Sequence, residues 1–145
     1  MISFLSAASP TVLFSVVDYF LFRLHVTKWH IFQIASSIFF SKEEITTVPA
    51  LVIGGLTHIT LEGLAGLVLF CALYYTGRKF YLFKGISVAL LFWIMLFGGI
   101  LSLKITAIAQ PLGAPTNMTN LVEHILSGIL AGFLMVKLAD ESVWD

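Results

Sequence analysis

Residues 48–76 read VPALVIGGLTHITLEGLAGLVLFCALYYT, and this stretch decides the fold class. It contains one histidine, His58, and one charged residue, Glu62, in a run that is otherwise uncharged and largely apolar. A helix needs about 20 mostly apolar residues to cross the hydrocarbon core of a bilayer. The stretch therefore predicts a transmembrane helix.

The composition of the whole chain points the same way. Of its 145 residues, 59% are hydrophobic and 11% are charged, whereas soluble domains are about 45–50% apolar and about 25% charged. The mean hydropathy is +0.99. Because lipid must cover the excess apolar surface, we predict an integral membrane protein with a single domain over residues 1–145.

Charge, cysteine content and motifs exclude several classes of function. Eight Lys and Arg residues balance eight Asp and Glu residues, which argues against a nucleic-acid-binding protein, since that class shows a basic face. The single cysteine, Cys71, excludes an internal disulfide and a zinc ribbon. The sequence lacks a phosphate-binding glycine loop and the His-Glu-x-x-His and Gly-x-Ser-x-Gly motifs. We therefore predict no catalytic residues, and an enzyme is the less favoured interpretation.

Four long apolar runs predict an all-α bundle of four transmembrane helices. The predicted spans cover residues 2–26, 48–76, 82–109 and 120–138. Residues 27–47 are too short and too mixed to cross, and Trp29 with the nearby phenylalanines favours an interfacial helical segment between the first two spans. Pro111, Gly113 and Pro115 predict a loop before the fourth span, because proline disfavours helix at and before its own position.

The distribution of basic residues gives an orientation. With the N-terminus inside, four of the eight Lys and Arg residues lie on the cytoplasmic side and four on the opposite side. The short connection around Arg78, Lys79 and Lys84 carries no acidic residue, which favours the cytoplasm. We therefore expect both termini in the cytoplasm. Residues 1–10 contain no Lys or Arg and end at Pro10, so we expect them to stay in the mature chain rather than to be cleaved as a signal peptide.

The second and fourth spans contain a matching segment of nine residues. Residues 58–66 read HITLEGLAG and residues 124–132 read HILSGILAG, with five identical positions. Since the two spans run in the same direction, the match predicts a parallel duplication of a helical hairpin.

Small residues recur in these two spans at helical spacing. They include Gly63, Gly66, Gly128 and Gly132. Small side chains let helix backbones approach closely in a membrane, so we interpret these glycines as helix-packing positions. The Gly128 and Gly132 face is predicted to join copies of the chain in a homo-oligomer surrounded by membrane lipid.

Several features together resemble a known family. His58 followed by glycines, then Lys84-Gly85, Trp93 and a final His-x-x-x-Gly-x-x-x-Gly span resemble the YqhR and YagU type of small bacterial membrane protein. The likeness covers about residues 29–138, and neither Glu62 nor Glu123 belongs to that pattern. The resemblance implies four helices in a bacterial inner membrane, and it attaches no reaction.

Ionisable residues gather in one half of the predicted bundle, where the ends of spans one and three meet the starts of spans two and four. They are Asp18, Arg23, His25, His58, Glu62, Lys104, Glu123 and His124. An ionisable group in the hydrocarbon costs about 2.5–3.5 kcal/mol and usually faces protein or a water-filled cavity. We therefore single out four candidates for a proton or ion pathway. These candidates are Asp18, Glu62, Lys104 and Glu123.

Two histidines and a carboxylate in this group also suit a metal ion. His58 and Glu62 are four residues apart and share a helix face, and His124 should lie at a similar depth to His58. Imidazole and carboxylate ligands bind zinc, iron or manganese, so these three residues predict a site for a divalent metal or for haem. In the adjacent pair of Glu123 and His124, at most one side chain can face such a site directly, because neighbours on a helix diverge by about 100°.

Each of these residues also has a structural interpretation. Glu62 could pair with His58 or Lys104 between helices, and Asp18 with Arg23 or Lys104. Glu123 could favour the positive end of the fourth helix.

Three functions follow from these alternatives. The first is a small accessory or structural membrane protein whose polar cluster fixes helix pairing. The second is a proton-coupled or ion-permeation unit that acts as an oligomer. The third is an intramembrane metal- or haem-binding protein that uses His58, His124 and Glu62.

Overall fold

The chain is a four-helix multi-pass membrane protein. The computed structural model describes residues 2–103, 105–109 and 112–139, and these contain no β-strand. The elements are α1 (Ile2–Arg23), α2 (Ile31–Ser36), α3 (Val48–Thr76), α4 (Tyr81–Trp93) with its continuation through a π-helix (Ile94–Gly99) and a 3-10 turn (Ile100–Leu103), and α5 (Ala114–Leu138). Within these residues, four helices are long and apolar enough to cross a membrane. The predicted all-α bundle of four transmembrane helices is confirmed.

The ends of three spans differ from the predicted ends. The first helix ends at Arg23 rather than at residue 26, and the third ends at Leu103 rather than at residue 109. The fourth begins at Ala114 rather than at residue 120, because Pro115 lies in its first turn, where a missing N–H removes no helical hydrogen bond. Glu123 is consequently well inside α5, so its predicted role at the positive end of the helix is wrong.

The helices form a ring in which each packs mainly against two neighbours. The helix α1 packs against α3 and α5, and α4 packs against α5 and α3. The helices α3 and α5 lie diagonally and make few direct contacts with each other. Side chains that meet between α3 and α5 therefore lie in the centre of the bundle.

Glycine contacts join α4 tightly to α5. A Cβ atom added to Gly128 would lie 2.5 Å from the carbonyl oxygen of Gly85, and one added to Gly132 would lie 2.6 Å from that of Tyr81. Such distances are too short for real atoms, so only glycine fits at both positions. The Gly128 and Gly132 face, which the sequence assigned to a homo-oligomer, is therefore covered by α4 of the same chain.

The other pair of glycines plays the equivalent part between α1 and α3. A Cβ on Gly63 would overlap the ring of Phe4, and one on Gly66 would lie 2.5 Å from the carbonyl oxygen of Ser3. The α1/α3 pair and the α4/α5 pair are thus two helix pairs that use glycines of the 58–66 and 124–132 segments, of which Gly66 and Gly132 occupy matching positions.

One end of the bundle is covered by α2 and by the chain before α5, which together we call the cap (residues 24–47, 105–109 and 112–113). The segment predicted at the interface does contain a helix, α2, but five of its six residues are buried. The cap contributes Ile31, Ile34, Ile45, Ile108 and Leu112 to an apolar core with Phe97 and Leu101. Its two parts are joined by the Ala107 N–H, which donates to the Ser37 carbonyl oxygen at 2.9 Å.

The opposite half of the bundle is closed by apolar and small side chains. Leu69 and Leu73 of α3 pack with Ala131 and Met135 of α5 and with Ala7 of α1. No ionisable side chain belongs to this core among the residues that the structure describes.

Candidate functional site

Three helices each turn a stripe of polar side chains toward the centre of the bundle. The buried members are Thr11, Ser15 and Asp18 on α1, His58 and Glu62 on α3, and Asn120, His124 and Ser127 on α5. Within each helix the spacing is three or four residues, which places the side chains on one face. Each stripe is flanked by apolar residues that face lipid, and this arrangement explains why the helices orient in this way.

The stripes surround a small cavity, which we call the polar cavity. Its volume is about 20 Å³, enough for roughly one water molecule. It is lined by Thr11, Phe14, Ser15, Ile31, His58, Glu62, Asn120, Glu123, His124 and Ser127. Several buried polar atoms of these side chains have no hydrogen-bond partner within the described part of the chain, namely Ser15 Oγ, Asn120 Oδ1, Glu123 Oε1 and His124 Nε2. Water in the polar cavity would supply those partners.

Glu62 and His124 form the central pair of the site. Oε1 of Glu62 lies 3.5 Å from Nε2 of His124, while Nδ1 of His124 lies 2.8 Å from the carbonyl oxygen of Asn120. A carbonyl oxygen can only accept, so Nδ1 must carry a hydrogen. In a neutral ring Nε2 then carries no hydrogen and can only accept, and it faces a carboxylate oxygen that can also only accept. One additional proton, on either Nε2 or Oε1, provides the missing donor.

Asp18 forms the connection between α1 and the cap. Its Oδ2 accepts the backbone N–H of Ile31 at 2.7 Å and lies 3.8 Å from Nε2 of His30. Its side chain is fully buried. The predicted partner Arg23 is instead exposed and donates to the Tyr19 hydroxyl at 3.3 Å. The predicted Asp18–Arg23 pair is therefore wrong, since the chain turns back into the bundle after α1 and brings α2 to the carboxylate.

His30 begins α2 and fixes its first turn. The N–H of Phe32 donates to Nδ1 of His30 at 3.0 Å, and the N–H of His30 donates to Oε1 of Gln33 at 3.0 Å. This reciprocal arrangement is a capping box. Because Nδ1 accepts a hydrogen bond, Nε2 carries the hydrogen of the neutral ring and is directed toward Asp18.

We expect the imidazole of His30 to be neutral at pH 6.5 with its hydrogen on Nε2. Burial lowers the pKa of His30 below its ordinary value of 6.5, and a hydrogen bond with the backbone of Ser15 opposes this effect without reversing it. Nitrogen-15 NMR of the histidine side chains in micelles would measure both properties, with His30→Gln to assign the signals. A hydrogen on Nδ1, or a titration midpoint above 6.5, would contradict this arrangement.

The remaining ionisable candidates lie at the edge of the site or away from it. Glu123 is half-buried and lines both the polar cavity and an apolar groove between α1 and α5 that opens beside Phe14 and Met118. His124, its neighbour, is the one that faces Glu62. Arg23 and His25 are exposed at the end of α1. Lys104 lies outside the described residues.

His58 lies beside the central pair without joining it directly. Its ring lines the polar cavity with Glu62 and His124 and lies 6.3 Å from the ring of Phe32. The predicted trio of His58, Glu62 and His124 thus shares one cavity, but Glu62 pairs with His124 rather than with His58. Among residues 2–103, 105–109 and 112–139, no group of three His, Cys, Asp or Glu side chains is close enough to hold a metal ion.

Several residues of the site carried no functional prediction. The hydroxyls of Thr11 and Ser15 precede Asp18 at helical spacing, and that periodicity is a signal that sequence reasoning could have used. Asn120 and Ser127 flank His124 in the same way. His30 had no such signal, because its place depends on the return of the chain after α1.

Phe97 is a further residue that the sequence did not single out. The change from α-helix to π-helix after Trp93 turns Phe97 inward, where its ring lies edge-on to His124 with centroids 5.9 Å apart. The indole of Trp93 stacks on the ring of Phe97 with centroids 5.8 Å apart. The π-helix therefore gives the imidazole of His124 an apolar wall, and π segments often occur at functional sites.

The described part of the site combines carboxyl and imidazole groups and contains no lysine or arginine. Asp18, Glu62 and Glu123 supply three carboxyls, and His30, His58 and His124 supply three imidazoles. Among the described residues, no Lys or Arg lines the polar cavity. Comparison with protein-family models, with curated proteins and with solved structures found no match to this chain.

Proposed function

We propose that the chain is a proton-coupled membrane protein whose proton-binding site is the pair formed by Glu62 and His124. The observation that carries this proposal is the fixed orientation of His124. Its Nδ1 hydrogen is committed to the Asn120 carbonyl, so its Nε2 and the Glu62 carboxyl are complementary only when one exchangeable proton lies on one of them.

The surroundings of the pair support the same function. Buried charges are costly unless they are paired, and no Lys or Arg lines the polar cavity in the described part of the chain. The carboxyls and imidazoles must therefore balance one another by sharing protons. The partnerless oxygens and nitrogen around the polar cavity suit a water molecule that would carry protons between them.

The half of the bundle opposite the cap determines how proton binding is coupled to conformational change in this proposal. On the side of Glu62 that faces away from the cap, the space between the helices narrows to a cavity of about 10 Å³, which is lined mainly by small and apolar residues such as Ala65, Gly66 and Leu69. A proton bound at Glu62 would therefore exchange through the end that carries the cap, and its passage to the other side would require a rearrangement of the two helix pairs. This is coupling by conformational change rather than an open channel.

Glu62→Gln is expected to abolish proton movement. In proteoliposomes with an internal pH dye, the wild-type protein should speed the decay of an imposed pH gradient above that of protein-free vesicles. The glutamine variant should return the rate to that of protein-free vesicles, because an amide cannot exchange a proton at this position. Glu43→Gln, in the exposed part of the cap, is the matched control and should behave as wild type.

Equal decay rates for wild-type and protein-free vesicles would overturn the proposal. A full rate in Glu62→Gln would overturn the assignment to this pair. Size-exclusion chromatography of both variants separates a lost proton site from a lost fold.

An accessory or structural role is the second candidate, and a specific observation favours it. The Glu62–His124 pair joins the diagonal helices α3 and α5, which otherwise scarcely touch, and Asp18 ties α1 to α2. Under this role Glu62→Gln would lower stability without changing any flux.

We further propose the location implied by the resemblance to the YqhR and YagU type of protein. It is a bacterial inner membrane with both termini in the cytoplasm, which puts the cap on the opposite side. Any homo-oligomer would use lipid-exposed surfaces, since Gly128 and Gly132 pack within the chain.

A further inference from the structure

A second, larger cavity lies on the outside of the bundle, between α1, α2 and α3. Its volume is about 510 Å³, within the usual range of about 300–1,000 Å³ for small-molecule sites. Val12, Val16, Tyr19 and Phe22 form one wall, and their spacing places them on a single face of α1. Leu51 and Ile59 of α3 form the other wall. We call this cavity the lipid groove.

The lipid groove has the length and surface of an acyl-chain site. Val12 and Phe22 are ten residues apart, which corresponds to about 15 Å along a helix axis. Its walls are almost entirely apolar side chains, and Val12 and Val16 are about half exposed, at 53% and 51%. In a bilayer these faces meet hydrocarbon.

A polar group lies in the floor of this apolar groove. Gln33 is only 6% exposed and lines the groove beside His30 and Ser15. Its Oε1 accepts the N–H of His30, which identifies the other terminal atom as the NH₂ group. That NH₂ group has no hydrogen bond to another described residue. It therefore presents two donors to whatever fills the groove.

A cation lies directly after the groove wall, at the end of α1. Arg23 follows Phe22 at the end of α1 and donates to the hydroxyl of Tyr19 at 3.3 Å, so its guanidinium lies at the end of the groove nearest the cap. No carboxylate of the described residues pairs with it. An arginine in this setting can bind a phosphate with two parallel hydrogen bonds.

We propose that the lipid groove binds one anionic phospholipid. One acyl chain lies along Val12 and Val16, an ester carbonyl accepts from the NH₂ group of Gln33, and the phosphate meets Arg23. The apolar wall, the amide and the cation thus offer one partner each to the acyl chain, the ester and the phosphate of a phospholipid. The site does not depend on the proton-binding pair.

Native mass spectrometry of the delipidated full chain tests this proposal. Phosphatidylglycerol and phosphatidylcholine, with identical acyl chains, are titrated separately and the bound fractions compared. We expect one phosphatidylglycerol per chain, bound more tightly than phosphatidylcholine. Val16→Trp fills the groove and should abolish this binding, whereas Val52→Trp, on a lipid-exposed part of α3 outside the groove, should retain it.

Arg23→Gln gives a second test at an exposed position. It should weaken phosphatidylglycerol about fivefold and leave phosphatidylcholine unchanged, with Lys42→Gln in the exposed part of the cap as control. Unchanged binding in Val16→Trp, equal affinity of the wild type for the two lipids, or a full preference in Arg23→Gln would each overturn the proposal.

Discussion

Gly128→Leu is expected to separate α4 from α5 and to destabilise the protein by about 3 kcal/mol or more. Even a Cβ atom at this position would lie 2.5 Å from the backbone oxygen of Gly85 and 2.8 Å from the side chain of Ala89. Overpacking in cores costs about 1–3 kcal/mol when side chains can move aside, and here the obstacle is backbone. The two helices must therefore move apart along their whole contact.

Unfolding in mixed micelles of a mild detergent and dodecyl sulfate measures this loss. Gly99→Leu is the matched control, because nothing lies within 4 Å of a Cβ built at Gly99. We expect the control to unfold near the wild-type midpoint. A Gly128→Leu protein as stable as this control would show that the close contact between α4 and α5 does not exist.

Asp18→Val should release α2 from the bundle. The carboxylate accepts the Ile31 N–H at 2.7 Å in a fully buried position, and valine fills the space without offering an acceptor. A buried N–H left without a partner costs about 1–3 kcal/mol. Hydrogen exchange at Ile31 should become up to about 100-fold faster, since each 1.4 kcal/mol corresponds to a factor of ten.

Asp18→Asn separates the role of the acceptor from that of the charge. The amide keeps one oxygen for the Ile31 N–H, so exchange at Ile31 should stay slow in this variant. Hydrogen exchange with mass spectrometry of the peptide that contains α2 gives both values. Equal exchange in the valine and asparagine variants would refute the assigned hydrogen bond.

The spans could be predicted from sequence because hydropathy is a property of each segment alone. The helix α3 has the predicted bounds of residues 48–76 for this reason. The start of α5 was missed because proline is favoured in the first turn of a helix and disrupts a helix interior. Pro115 lies in the first turn. Where a helix begins depends on its cap, which composition does not reveal.

The candidate site could be predicted only in part, because its pairs depend on tertiary packing. Helical spacing correctly grouped His58 with Glu62 on one face, but the partner of Glu62 is His124 across the bundle. The return of α2 to Asp18 has no local signal, so the sequence assigned a neighbouring arginine instead. Long-range contacts of this kind follow from the order of helices around the ring.

The π-helix of the third span lets the chain lose one residue there without changing the faces of the later residues. A helix with i to i+5 hydrogen bonds holds about one residue more in each turn than an α-helix does. Deletion of Gly98 or Gly99 would therefore allow a regular α-helix, and Leu101 would stay in the apolar core that it shares with the cap. A deletion in the regular part of α4 would instead rotate every later residue of the span by about 100°. In an alignment of homologous chains, a gap of one residue between positions 94 and 99 would therefore mark proteins in which the wall beside His124 is built on an α-helix.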